Sequence, residues 1–328
     1  MHEFEKGIAD RYDLGVQSVH AYKDAWILQT VNRKYILHKS SLSPERVEFI
    51  HAAKEHLHHN GFTHLDRYIC NSEELPYTIT EDGLYVVSDF VEGSECNFES
   101  RGDVIQATRL LAEMHRASQG FVPPGVSMVR SDLGKIPLFF TKRLDEMKKL
   151  KKVARRGKSR FDYLFLGNVD YFYEVGENAL GQLHASRYEE LVRQTKNDGV
   201  FCHHDFTHHN IVHGDQGYYL INFDFVCLEL KVYDIANLIR RKMRKCKWDI
   251  REAEVILNTY QAIEKISPDE FDVMRIMIQF PQKFWRVINK YYNSKRSWSE
   301  KSFVTRLQEV IDEVEYHKQF MGNFDSLK

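Results

Sequence analysis

Long apolar runs are missing from this chain of 328 residues: no stretch approaches the roughly 20 consecutive apolar residues of a membrane-spanning helix, so no such span is expected. The opening residues MHEFEKGIADRY carry acids where a secretory leader needs an apolar segment, and no signal peptide is expected. Cysteine is sparse and scattered. Cys70, Cys96, Cys202, Cys227 and Cys246 are odd in number and never spaced CxxC, which argues against a disulfide framework and for reduced thiols inside a cell. Charge of one sign is also missing. With 46 basic and 47 acidic residues the net charge is -1, so no global field recruits nucleic acid or an anionic membrane, and neither is an expected partner. No GxxxxGK(S/T) motif occurs, which excludes a P-loop enzyme as far as motifs do.

What is present is a globular balance, 43% hydrophobic and 28% charged, in a chain long enough for two compact units or one domain of two lobes. Two β-favouring runs in Ala21 to Ser40 flank Asn32-Arg33 and predict a hairpin. Ser43-Pro44-Glu45 combines an N-cap, an N1 proline and a first-turn acid, so a helix of about four turns is expected to run to Gly61. A second β pair, Tyr77 to Thr80 and Leu84 to Val91, flanks Glu81-Asp82-Gly83. Helical periodicity over Asp103 to Ser118 then marks a change of character. Residues 1–92 are therefore read as a β-rich lobe with one helix, and residues 93–328 as a mostly helical lobe. Lys142 to Arg160 reads as a basic helix ending in a loop at Gly157, with a solvated face and an anion-binding patch as its two readings. A hairpin is expected from Ile211-Val212 and Tyr218 to Phe225, followed by a helix with Asp234 in its first turn. Amphipathic segments near Arg251 to Lys265, Asp269 to Tyr292 and Glu300 to Phe320 complete the chain.

The chemistry-bearing constellation is HHDFTHHN, His203 to Asn210, followed by INFDF, Ile221 to Phe225. Phosphoryl transfer needs a carboxylate to orient and deprotonate the incoming hydroxyl, and oxygen ligands to hold magnesium against the phosphates. Asp205 suits the first role; Asn210, Asn222 and Asp224 suit the second. These segments resemble the HxDxxxxN loop and IDxD strand of the aminoglycoside phosphotransferase and choline kinase superfamily, a branch of the protein-kinase-like fold. YILHK resembles its phosphate-lysine strand, with His38 or Lys39 at the phosphates. Ser43 to Asn60 resembles the helix carrying the acidic partner, Glu55 or Glu48. YVVSDFVEG resembles the hinge that holds adenine, with Asp89, Phe90 and Val91. Within the superfamily, GKIPLFFTKRLDEMKKLKKVA resembles a segment of the spore coat proteins of the CotS and CotI group.

The resemblance implies a bilobal α+β kinase-like fold, ATP and Mg2+ as cofactors if the cleft works, and other coat proteins as partners. It also implies synthesis in the mother cell and deposition in the spore coat. Two departures stand out. The strand reads Leu37-His38-Lys39, one residue out of register for the lysine, so that only a bulge returns Lys39 to the cleft. Asn222 stands where a metal-binding aspartate is usual, although Asp224, two residues on along a strand, shares its face. The expectation is a degenerate ATP/Mg cleft on a coat-assembly protein. Its rivals are an active phosphotransferase acting on a small-molecule hydroxyl and a scaffold that binds no nucleotide. The histidines His203, His204, His208, His209 and His213 have a zinc or nickel reading, set against local loop variation without a carboxylate at ligand spacing.

Overall fold

The structure, a computed structural model, describes residues 7–125, 128–293 and 299–328. Most of the reading of the first six residues therefore lies outside the described residues. By contacts the chain forms two compact units, residues 1–131 with 198–228, and residues 132–197 with 229–328.

In the first unit, β1 (Ser18–Tyr22), β2 (Ala25–Gln29) and β3 (Lys34–Ser40) make an antiparallel meander. The 30–33 turn that joins β2 to β3 is closed by Thr30 N–H donating to the Arg33 carbonyl at 3.0 Å, as the Asn32-Arg33 signal predicts. Helix α1 (Pro44–His59) starts as its sequence demands: Ser43 Oγ accepts from the Arg46 N–H, Pro44 sits at N1 and Glu45 in the first turn. Strand β4 (Tyr68–Ile69) and the β5–β6 pair (Thr78–Thr80, Gly83–Asp89) complete the sheet in the order β1-β2-β3-β6-β4, with β5 also on β6. On one face Leu28, Leu37, Tyr85 and Val87 pack with Ile8, Ala9 and Tyr12. A second sheet orders β7 (Ser94–Glu95), β8 (Ile211–Gly214) and β9 (Gly217–Leu220). Gly93 permits its approach, since a Cβ there would stand 2.2 Å from the His213 carbonyl oxygen. Helix α2 (Arg101–Ser118), N-capped by Ser100, covers the predicted periodic segment.

The second unit is helical: α3 (Ile136–Ala154), α4 (Arg160–Leu166), α5 (Val169–Ala185), α6 (Tyr188–Asp198), α7 (Val232–Met243), α8 (Ile250–Gln261), α9 (Pro268–Gln279), α10 (Gln282–Asn293), α11 (Glu300–Asp312) and α12 (Val314–Asn323). The basic segment is a helix to Ala154 whose buried stripe is Leu144, Met147, Leu150 and Ala154. Aromatic residues supply much of the packing, with Phe172 stacked on Phe284 at 3.9 Å and Phe140 on Phe280 at 3.7 Å. Two expectations need correction. The segment Asp269 to Tyr292 is two helices, broken at Phe280-Pro281, because proline cannot donate into a continuing helix and pushes the residue before it out of helical geometry; Phe280 has ψ 131°. Glu300 to Phe320 is likewise divided, at Glu313.

Candidate functional site

The loop that carries HHDFTHHN is closed at its base by a two-residue antiparallel bridge: Cys202 N–H donates to the Cys227 carbonyl at 2.8 Å, and Cys227 N–H returns the bond at 3.0 Å. Inside this collar His203 is fully buried, its Nε2 3.1 Å from the Ile221 carbonyl, which ties the start of the loop to the start of INFDF. His204 takes a positive φ of 68°, a conformation that costs a branched residue more than it costs histidine. The turn directs Asp205 toward Asn210. Asn210 Nδ2 donates both to the Asp205 carbonyl (2.8 Å) and to its Oδ2 (3.0 Å). The predicted partnership of the acid and the amide five residues later is therefore formed, and it leaves Asn210 Oδ1 as the free acceptor of that side chain.

That acceptor is taken. Asn222 Nδ2 donates to Asn210 Oδ1 at 3.1 Å, and the Asn222 N–H donates to Asp66 Oδ2 at 3.2 Å. Asp66 reaches this point because residues 64–66 run beside β9, where Leu220 N–H donates to the His64 carbonyl at 2.9 Å and Leu65 bridges Leu220. The other Asp66 oxygen lies 3.1 Å from Lys54 Nζ, which also donates to the Asp66 carbonyl at 2.6 Å. Lys54 is wholly buried, its ammonium 3.8 Å from the Tyr68 ring centroid and 5.4 Å from that of Phe223. A single connected path thus runs Asp205–Asn210–Asn222–Asp66–Lys54. Asp66 and Lys54 are absent from the sequence reading, yet a signal for one existed. Lys54 falls in the register of Val47, Ile50 and Leu57 on the buried face of α1, where a lysine is out of place unless it has a partner.

The INFDF segment is not a strand. β9 ends at Leu220, Asn222 is left-handed (φ 62°, ψ 72°) and Phe223–Phe225 is a 3-10 turn, so the expected alternation that put Asn222 and Asp224 on one face does not apply. The turn is clamped from α1: Arg46, itself buried, donates from Nη2 to the carbonyls of Asp224 (2.8 Å) and Val226 (2.6 Å). Arg46, too, was missed.

Strand β3 pairs regularly with β6, His38 opposite Val86 and Lys39 opposite Tyr85, without a bulge. Lys39 therefore shares the face of Leu37 and pairs with Asp82 Oδ2 at 2.8 Å, its chain lying across Gly83. His38 takes the other face. Burial holds its imidazole below the ordinary histidine value, with Asp224 pulling the other way and Lys54 adding to the depression. Neither proposed acid meets either candidate. Glu55 is held by Arg67 through two hydrogen bonds of 2.9 and 2.7 Å, and this pairing keeps its carboxyl low against the effect of burial. Glu48 accepts from the Tyr77 hydroxyl at 3.2 Å. Lys39 is thus paired with Asp82 rather than with Glu55 or Glu48.

In the segment read as the hinge, burial raises the Asp89 carboxyl, and Asp89 N–H donates to the Arg67 carbonyl at 3.0 Å. Phe90 N–H donates to the Lys34 carbonyl at 3.2 Å and its ring meets Tyr22 edge-on at 5.5 Å; Val91 follows, half-buried. Magnesium asks for a near-octahedral set of oxygens. Of the residues expected to provide it, Asn210 Oδ1 accepts an N–H from Asn222 Nδ2, and Asp224 has its main-chain carbonyl held by Arg46. Of the histidines, His208 and His209 come together with Glu95 of β7, all within 4.8 Å, and His209 Nδ1 is 2.6 Å from Glu95 Oε2. The carboxylate that the loop lacks at ligand spacing thus stands 114 residues before His209, beyond any local motif. Asp234 is fully buried in the first turn of α7.

Comparisons with known proteins agree with the resemblance read from the motifs. The family described as "Spore coat putative kinase YutH" matches residues 5–324. Spore coat protein S of Bacillus subtilis (strain 168) is 25% identical over 317 residues, covering 96% of this chain and 90% of that one. Among solved structures, an aminoglycoside phosphotransferase from Alicyclobacillus acidocaldarius superposes with a TM-score of 0.86 at 23% identity, covering 98% and 95% of the two chains. Spectinomycin phosphotransferase, solved with ADP and its antibiotic, gives a TM-score of 0.60 at 13% identity, covering 97% and 98%. At these identities the structural matches establish the fold, a bilobal kinase-like α+β architecture, and nothing of substrate.

Proposed function

The chain belongs to the YutH family of spore coat kinase-like proteins, and on that premise we propose that it is a coat-assembly protein whose cleft no longer transfers phosphate. One observation carries the reading: Asn222 Nδ2 donates to Asn210 Oδ1, so an N–H occupies the acceptor that a metal would use. An aspartate at 222 would set a carboxylate against that oxygen and favour a cation between them; the amide replaces the cation with its own hydrogen bond. Lys54 pairs its charge with Asp66, and Arg46 donates to the main-chain carbonyls of Asp224 and Val226. His38, uncharged at neutral pH because burial lowers its pKa, brings no fixed charge to a phosphate.

On this reading the protein is made in the mother cell, is deposited on the forespore and works through other coat proteins rather than through turnover. The rival, an ATP-dependent phosphotransferase acting on a small hydroxyl compound, is favoured by the intact Asp205–Asn210 pairing. The two separate in sporulating cells that carry Asp205→Asn in place of the unaltered chain. The variant is expected to reach the coat and to support a normal coat. A folded Asp205→Asn protein that fails to assemble one would show that catalysis is needed.

A further inference from the structure

Two histidines, His208 and His209, immediately precede Asn210. The three residues form a 3-10 turn, closed by the Asn210 N–H donating to the Thr207 carbonyl at 3.0 Å, and the turn runs directly into β8. Successive residues of such a turn are set about 120° apart, so adjacent side chains ordinarily splay. Here the two imidazole rings lie side by side, their centroids 3.8 Å apart, and Phe98 backs the His208 ring at 5.8 Å. Strand β7 brings a third group to them. Ser94 and Glu95 pair with His213 and Val212 of β8, and the Cys96 N–H donates to the Ile211 carbonyl at 2.9 Å, which fixes the Glu95 backbone alongside the turn.

One ligand atom from each of Glu95, His208 and His209 lies within 4.8 Å of the others, and His209 Nδ1 is 2.6 Å from Glu95 Oε2. Two ligands at about 2.0 Å on a tetrahedral ion stand roughly 3.3 Å apart, so side-chain shifts of roughly 1–2 Å seat a cation among the three. The His209 and Glu95 side chains are 64% and 51% exposed, which leaves them free to make that shift and open to an ion from solvent. Two imidazoles and one carboxylate suit zinc and its first-row neighbours, whereas magnesium and calcium take oxygen ligands alone. A hydrogen-bonded histidine–glutamate pair needs only one ring; the second ring beside it completes a three-ligand set. On binding, the His209–Glu95 contact is exchanged for two bonds to the ion, and a proton on His209 Nδ1 is released or carried on Nε2.

We propose that Glu95, His208 and His209 bind a zinc ion, which ties the turn between Asp205 and Asn210 to β7 and keeps a further coordination position for water. The assignment is independent of whether the protein transfers phosphate, since none of its ligands is Asp205, Asn210, Asn222 or Asp224. Titration of the full, tag-free chain with zinc after chelator treatment, in competition with a chromophoric zinc chelator, tests it. One zinc per chain is expected, with a Kd below about 100 µM. His209→Ala and Glu95→Gln, both at exposed positions, are each expected to weaken zinc by at least about ten-fold while unfolding at the Tm of the unaltered metal-free chain. His184→Ala, an exposed histidine of α5 in the other unit, is expected to change nothing, and excess magnesium not to displace the zinc. No saturable binding below about 100 µM, or a loss of less than about ten-fold in either His209→Ala or Glu95→Gln, would overturn the assignment and leave the pair a plain hydrogen bond.

Discussion

Lys54 shows how a single buried charge reorganises a site. Its ammonium is out of water and its carboxylate partner among the described residues is Asp66, so removing it strands a carboxylate rather than merely deleting a contact. Lys54→Met is expected to cost about 3–5 kcal/mol in urea unfolding, and Lys54→Met with Asp66→Asn distinctly less than the sum of the two single changes. Equal and additive losses would argue that the pair is not coupled. A second residue sets a pH dependence. Glu229 is fully buried, and burial raises its carboxyl to about 8. Because the folded state holds the proton more tightly than the unfolded state does, the stabilisation is complete below the unfolded value near 4.5 and is lost as pH rises toward 8, by at most about 5 kcal/mol. Glu229→Gln is expected to flatten the stability curve between those limits. An unchanged slope would place the titration elsewhere. At this scale Asp205 and Asn210 were legible because five residues of one loop bring them together. Lys54 and Asp66 were not, because their meeting depends on residues 64–66 lying beside β9, a non-local pairing that no motif encodes.

At the scale of elements, legibility followed how local the determining chemistry is. The start of α1 could be read from Ser43-Pro44-Glu45, since capping is settled within four residues. The break between α9 and α10 was equally local, at Pro281, but apolar periodicity on both sides masked it. The turn at residues 222–225 was the harder case. Its hydrophobic alternation suits a strand, and only the Arg46 clamp and the left-handed Asn222 make it a 3-10 turn. The same reasoning predicts the worth of a cap. Ser267 and Glu270 form a reciprocal capping box at α9, with bonds of 3.2 and 2.8 Å, so Ser267→Ala is expected to lower the urea-derived stability by about 1 kcal/mol. A loss near zero would mean that α9 is held by its packing alone.

For the whole molecule, the fold was open to reading because motifs spread along the chain from YILHK to INFDF resemble one superfamily in order, and the family match over residues 5–324 agrees. Function is not carried by that architecture; it rests on a few side chains in one unit. In that unit Asn222 Nδ2 donates to Asn210 Oδ1 and Lys54 pairs with Asp66, and the proposal of a cleft without turnover rests on these contacts.

The most direct test is thermal unfolding of the full chain with and without magnesium and ATP, since a ligand at 100 times its dissociation constant adds about 2.7 kcal/mol of stability. The account predicts no saturable shift in Tm with millimolar ATP and magnesium. A saturable shift that requires magnesium and disappears in Asp224→Ala would contradict it, and would make the cleft a working nucleotide site.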